Sequence, residues 1–308
     1  MPEGTRSLRG LHPFALLTAA ATLLLIAAGG LVTSTESGLS VPDWPTTYGQ
    51  NMLTFPPSKW VGGIRFEHGH RLIASLVGLL TVTLAIWLTR REPRRWVVRL
   101  GWIAVAAVVA QGVLGGITVL YLLPTAVSVA HACLAQAFFC LTVVIATVTS
   151  PSWRSGRPVE ATRVRRAATV AVGLIFLQLV IGAVMRHTRA GLAIPDFPLA
   201  LGRLLPPLTS FPVAIAFAHR VGAMLVAAAV LFLARESLRS GRGGLRRGAL
   251  LLLLLVGIQI ALGAATVLTG KAVSVATAHV ATGALLLGAT LALGVAARRS
   301  PPLRLVTE

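Results

Sequence analysis

Eight long apolar stretches constrain the fold of this chain more than any other feature of its sequence. They cover roughly residues 13–33, 66–89, 98–120, 126–149, 167–187, 212–234, 248–268 and 273–297. Each holds about 20 residues or more, enough for an α-helix to cross the roughly 30 Å hydrocarbon core of a bilayer. With 55% hydrophobic and only 12% charged residues, a soluble class is excluded. The sequence predicts an all-α integral membrane protein with eight transmembrane helices.

The basic residues lie between the apolar stretches. The chain has 28 Lys and Arg against 9 Asp and Glu, an excess that in a soluble protein would suggest nucleic-acid binding. Here arginines gather in short runs at 90–99, 154–166 and 235–247, and near the ends of the chain at Arg6, Arg9, Arg298, Arg299 and Arg304. The positive-inside rule places such runs in the cytoplasm. We therefore expect a multi-pass protein of the cell (plasma) membrane, with the lipid bilayer as partner, both termini cytoplasmic and no nucleic-acid partner.

The two halves of the chain resemble each other. The segment SGLSVPDWP at 37–45 aligns with AGLAIPDFP at 190–198, and QGVLGGITVL at 111–120 aligns with QIALGAATVL at 259–268. Each half contains four apolar stretches, so both repeats cross the membrane in the same orientation. The pattern predicts two tandem, same-orientation four-helix bundles, residues 1–150 and 151–308, with a site within or between them.

Four histidines occupy equivalent positions in helices that run in the same direction: His70, His131, His219 and His279. We expect each imidazole roughly 6 to 10 Å below the outer end of its helix. Histidine is costly inside a membrane and indicates function. Two facing imidazoles in each half, with no recurring thiolate or carboxylate, suit a haem iron held from both faces, whereas zinc requires a third or fourth protein ligand. Packing and a proton relay stay open as alternatives.

Only the first half has an acid beside its histidine. Glu67 precedes His70 by three residues and shares its helix face, whereas the equivalent of Glu67 in the second half is Ala216. This asymmetry favours a catalytic site in the first half and an electron-carrying site in the second. The alternative is an ion pair between Glu67 and Arg71. His68 is about 200° around the helix from His70 and cannot serve the same iron, so we expect an interfacial role.

These motifs resemble those of the haem A synthase family over nearly the whole chain. They comprise Glu-x-x-His-Arg at 67–71, GLSVPDWP at 38–45, Arg-His-Thr at 186–188 with Pro-Asp-Phe-Pro at 195–198, and the four helix histidines. The resemblance implies an oxidoreductase that converts haem O to haem A. A porphyrin methyl group would be oxidised to a formyl group by successive hydroxylations and loss of water. The product would serve the terminal cytochrome oxidase.

The resemblance also implies a role for each candidate site residue. His70 and His131 would ligate the substrate haem beside a catalytic Glu67, and His219 and His279 would hold a haem b cofactor. Haem O synthase and cytochrome oxidase assembly factors are the implied protein partners. Two alternatives stay open: a dihaem b-type cytochrome that passes electrons between quinol and a partner, and a proton-relaying transporter. The cytochrome would explain the histidines but not Glu67.

The external loops depart from a common family pattern of paired cysteines. The corresponding positions hold other residues: Val41 and Thr47 in the first half, Ile194 and Ala200 in the second. An external disulfide is therefore excluded, and we expect prolines and packing to hold the loops. Asp43 and Asp196 are expected to brace them. The two cysteines, Cys133 and Cys140, lie in an apolar stretch and are expected to be buried and unpaired.

Overall fold

A computed structural model describes residues 10–158 and 161–300 of the chain. Within these ranges, eight helices are long and apolar enough to cross a membrane. They are α1 (Leu11–Ser34), α2 (Ile64–Arg91), α3 (Arg95–Leu120), α4 (Thr125–Thr149), α5 (Thr162–His187), α6 (Phe211–Arg239), α7 (Gly243–Leu268) and α8 (Val273–Ala296). Each coincides with one apolar stretch of the sequence to within a few residues. The prediction of an all-α membrane protein is confirmed.

The turns between α3 and α4 and between α7 and α8 are short and built alike. Each contains two residues with positive φ, Leu122 and Leu123 in the first turn and Gly270 and Lys271 in the second. The backbone N–H of Leu123 donates to the Thr118 carbonyl at 2.7 Å, and Lys271 repeats this bond with Thr266 at 2.7 Å. Such bonds satisfy carbonyls that the end of a helix leaves without a partner. The internal repeat therefore includes the way in which α3 and α7 end.

The helices of each half contact one another in a ring. In the first half α1 contacts α2, α2 contacts α3, α3 contacts α4, and α4 contacts α1; α5 to α8 repeat this order. The halves meet through α1, α4, α5 and α8, where Ile26, Phe139 and Ala284 form a buried cluster. A Cβ atom at Gly288 of α8 would stand 2.7 Å from the Phe139 ring. A small residue thus brings α8 close to α4, as in other membrane helix interfaces.

The two ends of the helical array differ in chemistry. We call the end with the segments 35–63 and 188–210 the long-loop end, and the opposite end, with the connections at 92–94, 150–161 and 240–242, the arginine end. At the arginine end the buried Glu92 carboxylate accepts two hydrogen bonds from the Arg94 guanidinium, at 2.7 and 3.0 Å. Arg94 also donates to the Val148 carbonyl at 2.9 Å, which ties the α2–α3 turn to α4.

Part of the predicted charge pattern falls outside the described residues. Arg6, Arg9 and Arg304, which the sequence places on the arginine side, and both chain termini are among these residues. At the described C-terminal edge, Arg299–Ser300 pairs antiparallel with Arg157–Pro158. This contact holds the end of α8 against the segment that links the two halves.

Candidate functional site

The four matched histidines lie at one depth, near the long-loop end. His70, His131 and His279 each follow the first residue of their helix by six positions, and His219 does so by eight. At 1.5 Å per residue, all four lie about 9 to 12 Å from that end of the helices. This is slightly deeper than the sequence suggests, because α2, α4 and α6 begin one or two residues earlier than their apolar stretches.

A glycine of the preceding helix faces each of these imidazoles. A Cβ atom at Gly29 would stand 3.1 Å from Cε1 of His70, and one at Gly115 would stand 3.3 Å from Cε1 of His131. The second half repeats both contacts at 3.1 Å, Gly182 with His219 and Gly263 with His279. The glycines occupy equivalent positions in the internal repeat. Each ring therefore lies in a matched notch, where any side chain would force it to move.

The imidazoles meet in pairs. His219 and His279, the second pair, have ring centroids 6.4 Å apart with planes at 69°. Two metal–imidazole bonds of about 2 Å would set the ligating nitrogens about 4 Å apart and the ring centres about 6 Å apart. His70 and His131, the first pair, have the same glycine contacts as the second pair. The second pair thus has the spacing that a bis-imidazole iron site needs.

Three of the four rings have a buried nitrogen without a hydrogen-bond partner among the described residues, which a packing role does not explain. These atoms are Nδ1 of His70, His131 and His279. A buried polar atom left in this way costs about 1 to 3 kcal/mol. Nor do the described residues contain a cluster of three or more His, Cys, Asp or Glu suited to a metal ion. The donor set fits a haem, which needs only two protein nitrogens.

Gln178 contacts the second pair and was missed by the sequence reasoning. Its Nε2 lies 3.0 Å from Nδ1 of His219 and donates to the His219 carbonyl at 2.7 Å. The residue opposite this amide is Gly222. A Cβ atom at this position would collide with Oε1 of Gln178, so only glycine leaves room for the amide. The repeat equivalents in the first half are Leu25 and Ile73. A glutamine unmatched in the other half of an internal repeat is the signal that could have identified it.

Glu67 is a buried ion-pair partner and a loop anchor. Its Oε1 accepts a hydrogen bond from Arg71 Nη2 at 2.7 Å, and its Oε2 accepts one from the backbone N–H of Val41 at 2.8 Å. The exposed fractions of Glu67 and Arg71 are 4% and 9%. The ion pair weighed as an alternative is therefore present, and it is buried rather than partly exposed. At the Glu67 position the second half has the buried Ala216.

Arg71 and its repeat equivalent Arg220 fasten the long loops to the histidine helices. Arg71 donates to the carbonyls of Val41, Asp43 and Thr46 at 2.8 to 3.0 Å. Arg220 donates to the equivalent carbonyls of Ile194, Asp196 and Leu199 at 2.6 to 2.9 Å. Each arginine follows a candidate ligand directly in sequence. Each long loop is therefore attached to the helix turn that carries a candidate ligand.

Asp43 and Asp196 brace the loops, as the sequence predicts. Asp43 accepts hydrogen bonds from the backbone N–H groups of Tyr48 and Gly49 at 2.7 and 2.8 Å. Asp196 accepts from those of Leu201 and Gly202, both at 2.8 Å. The donors are consecutive residues with positive φ, a geometry typical of tight hairpin turns. The Gly202 and Leu201 N–H groups hold the pKa of the Asp196 carboxyl below its usual value, so the brace stays charged.

The four loop positions at which the family resemblance implies cysteines are buried. Val41 and Thr47 are fully buried, and Ile194 and Ala200 form a buried cluster with Ala216. Packing therefore holds these loops, as expected from the missing cysteines. The two cysteines of the chain, Cys133 and Cys140, are unpaired and half-buried in α4.

His68 lies beneath the first long loop and does not face the first pair. Its side chain is fully buried, with Nδ1 3.2 Å from Oγ1 of Thr47. The ring packs against Phe55 and Trp60, with centroid distances of 5.2 and 4.8 Å. It is thus enclosed by the loop rather than placed in the lipid interface, because 35–63 folds back over α2.

Comparison with known proteins agrees with this arrangement. The family description COX15-CtaA, cytochrome oxidase assembly protein, matches residues 12–62 and 64–291. A protein named heme A synthase from Symbiobacterium thermophilum is 34% identical over 272 residues, which cover 83% of this chain and 85% of that protein. The heme A synthase of Halalkalibacterium halodurans is 31% identical over 283 residues, covering 88% and 91%. The matched region includes all four histidines, Glu67 and both long loops, and the chain belongs to the COX15-CtaA family of cytochrome oxidase assembly proteins.

Proposed function

We propose that this protein is a haem A synthase that oxidises a methyl group of haem O to the formyl group of haem A. The proposal rests on one observation: both halves contain the same site geometry, and each half has one residue that the other lacks. Both halves have the paired histidines, the facing glycines and the loop-fastening arginine. Only the first half adds an acid, Glu67, and only the second adds an amide, Gln178. Curated relatives that cover most of the chain are named heme A synthase, which supports the same activity.

The first half, residues 1–150, is the proposed substrate domain. His70 and His131 would hold haem O by its iron, and the Gly29 and Gly115 notches would fix both imidazoles. Oxidation of a methyl to a formyl group removes four electrons, which two successive hydroxylations followed by loss of water achieve. Glu67 would stabilise positive charge that develops at the methyl carbon or accept a proton there. Its hydrogen bond to Val41 couples that carboxylate to the loop that covers the site.

The second half, residues 151–308, is the proposed cofactor domain. His219 and His279 would hold haem b, which supplies one-electron transfer when bound. Gln178 would orient His219 by accepting the Nδ1–H of the ligating ring through Oε1, which makes no other hydrogen bond among the described residues, with its amide turned so that this oxygen faces the ring. Ala216 leaves this site without an ionisable group equivalent to Glu67. The second site is therefore suited to carrying electrons rather than to reacting.

We place the protein in the cell membrane with the arginine end in the cytoplasm and the long-loop end outside. Haem O synthase would supply the substrate, and cytochrome oxidase assembly factors would receive the product. The arginine runs at the α2–α3, α4–α5 and α6–α7 connections support this orientation.

The orientation predicts the outcome of cysteine labelling in intact cells. Ser58 is exposed in the first long loop and Ser152 is exposed at the arginine end. Ser58→Cys should react with a membrane-impermeant maleimide added outside, and Ser152→Cys should react only after the cells are opened. Both natural cysteines lie within α4, so the background should be low. The reverse labelling pattern would mean that the orientation is inverted.

The glycine notches predict a selective loss of haem affinity. A methyl group at Gly263 would stand 3.1 Å from Cε1 of His279, whereas one at Gly257 in the same helix meets nothing within 4 Å. Overpacking costs about 1 to 3 kcal/mol, and Gly263→Ala should weaken haem b binding by that amount. Gly257→Ala should bind as the unchanged protein does. Haem titration of the purified variants, followed at the Soret band, measures the difference, and equal affinities would refute the notch.

The activity itself is tested by pigment extraction. Cells that make haem O should accumulate haem A when this chain is expressed and lack it when the chain is absent. A protein that binds two haems but leaves haem O unchanged would instead be a dihaem cytochrome. If the purified protein shows no haem band, the proton-relaying transporter is the interpretation that remains.

A further inference from the structure

Three residues of α5, spaced four apart, share one face of the helix on the side of the second pair. Gln178 contacts Nδ1 of His219, and Gly182, four residues on, faces Cε1 of the same ring. Arg186 follows after four more residues on the same helix face, about 6 Å nearer to the long-loop end. The corresponding residues of the first half are Leu25, Gly29 and Thr33. An arginine above the pair is thus an addition of the second half.

Arg186 is anchored by one nitrogen only. Its Nη2 donates to the Gly30 carbonyl at 2.8 Å and to Oγ of Ser34 at 2.6 Å, both on α1 of the other half. Ser34 is in turn 3.3 Å from Oγ1 of Thr277 on α8. In the part of the chain that the structure describes, Nε and Nη1 of Arg186 make no hydrogen bond to protein. These contacts aim the guanidinium across the junction of the halves and leave two of its nitrogens available.

Arg186 also lacks a counter-charge. Four ion pairs join described residues, and Arg186 takes part in none of them. The Arg186 side chain is half-buried near the long-loop end of α5. A cation held in a membrane helix pairs with an anion or lines a polar cavity. The planar guanidinium matches the geometry of carboxylate and phosphate groups and can form two parallel hydrogen bonds with either.

We infer that Arg186 binds a propionate carboxylate of the haem held between His219 and His279. The inference rests on the proposed haem b site. The two propionates stand on one edge of a haem, several ångströms from the iron, and they avoid hydrocarbon. With the second pair about 9 to 12 Å below the long-loop end, that edge faces the loops, where Arg186 lies. The arginine thereby fixes the rotation of the haem about its axial ligands.

The proposal is tested by haem whose propionates are esterified. The protein for the assay is the full chain with His70→Ala and His131→Ala, so that haem can be held by the second pair alone. We expect it to bind haem b about 10- to 100-fold more tightly than haem b dimethyl ester, the range typical of a charge-assisted hydrogen bond. Arg186→Gln should abolish that preference. Arg186→Lys should keep part of it, because it retains the charge.

Arg203→Gln is the matched control, because it removes the same charge from an exposed position of the second long loop. It should keep the full preference for free propionates. A second readout is the midpoint potential, which should fall in Arg186→Gln because a positive charge near the iron no longer favours the reduced form.

The outcomes separate this inference from the proposed function. If the protein that retains Arg186 binds both haems equally, or if Arg186→Gln keeps the preference, the propionate contact is refuted while the haem site stands. If that protein shows no low-spin haem at all, the haem b site itself fails. The comparison of the two haems in the protein that retains Arg186 requires no variant at this position, so equal binding refutes the contact even if Arg186→Gln folds poorly, and in that case loss of part of the preference in Arg186→Lys assigns the contact to Arg186.

Discussion

Replacing His279 with alanine should abolish the low-spin haem b spectrum of the second half and stop haem A formation. The second pair supplies both axial nitrogens at a centroid distance of 6.4 Å, and His279→Ala leaves an iron with one protein ligand. His219→Ala should do the same. Optical and electron paramagnetic resonance spectra of purified protein, together with pigment extraction, measure the two effects.

A histidine at the arginine end provides the control. His12 lies in the first turn of α1, and its ring nitrogen Nδ1 is 3.0 Å from the Ala146 carbonyl. His12→Gln should keep the haem spectrum and the product. An unchanged low-spin spectrum in both His219→Ala and His279→Ala would remove the second pair as ligands.

Replacing Glu67 with glutamine should lower haem A formation by about 10² to 10⁴-fold while the haems stay bound. Glutamine keeps the volume of the side chain but carries no negative charge, and its single oxygen can replace only one of the two carboxylate oxygens that accept from Val41 and Arg71. If Glu67 served only to anchor the loop, the product formed per correctly folded, haem-loaded protein should stay near normal, and any loss should follow the loss of stability. Product per bound haem, measured after normalising for protein level, distinguishes the two roles.

Stability has to be measured beside activity in this variant. Glu67 and Arg71 form a buried pair, and removing one partner of a buried pair costs about 3 to 5 kcal/mol. Glu36→Gln makes the same chemical change at an exposed acid of the first long loop and should alter neither the stability nor the activity. Near-normal product from well-folded Glu67→Gln would falsify the catalytic role and leave Glu67 as a loop anchor.

The sequence predicts the features that depend on local pattern. Eight spans follow from apolar length, and the shared depth of the four histidines follows from counting along helices. The bracing role of Asp43 and Asp196 follows from their place in a Pro-rich loop. Each of these needs only neighbouring residues, and each is found in the structure.

Features that join distant segments are not predicted by sequence. Val41 reaches Glu67 across 26 residues, and Gln178 reaches His219 across 41. Helical periodicity fixes which residues share a face, but it does not say how a loop folds back or which helix lies opposite. The burial of His68 beneath Phe55 and Trp60 has the same origin. Alignment of the two halves comes nearest to finding such residues, because Gln178 and Arg186 are unmatched polar residues within apolar helices.

The common depth of the four histidines has an energetic consequence for the membrane. Moving one charge through a potential of 100 mV is worth about 2.3 kcal/mol when the charge crosses the whole bilayer. An electron passing between two sites about 9 to 12 Å from the same end of the helices travels parallel to the membrane plane and crosses almost none of that field. Electron transfer between the two proposed haem sites would therefore be electrically silent. Its rate should be the same in energised and de-energised vesicles, and it would neither draw on the proton-motive force nor add to it.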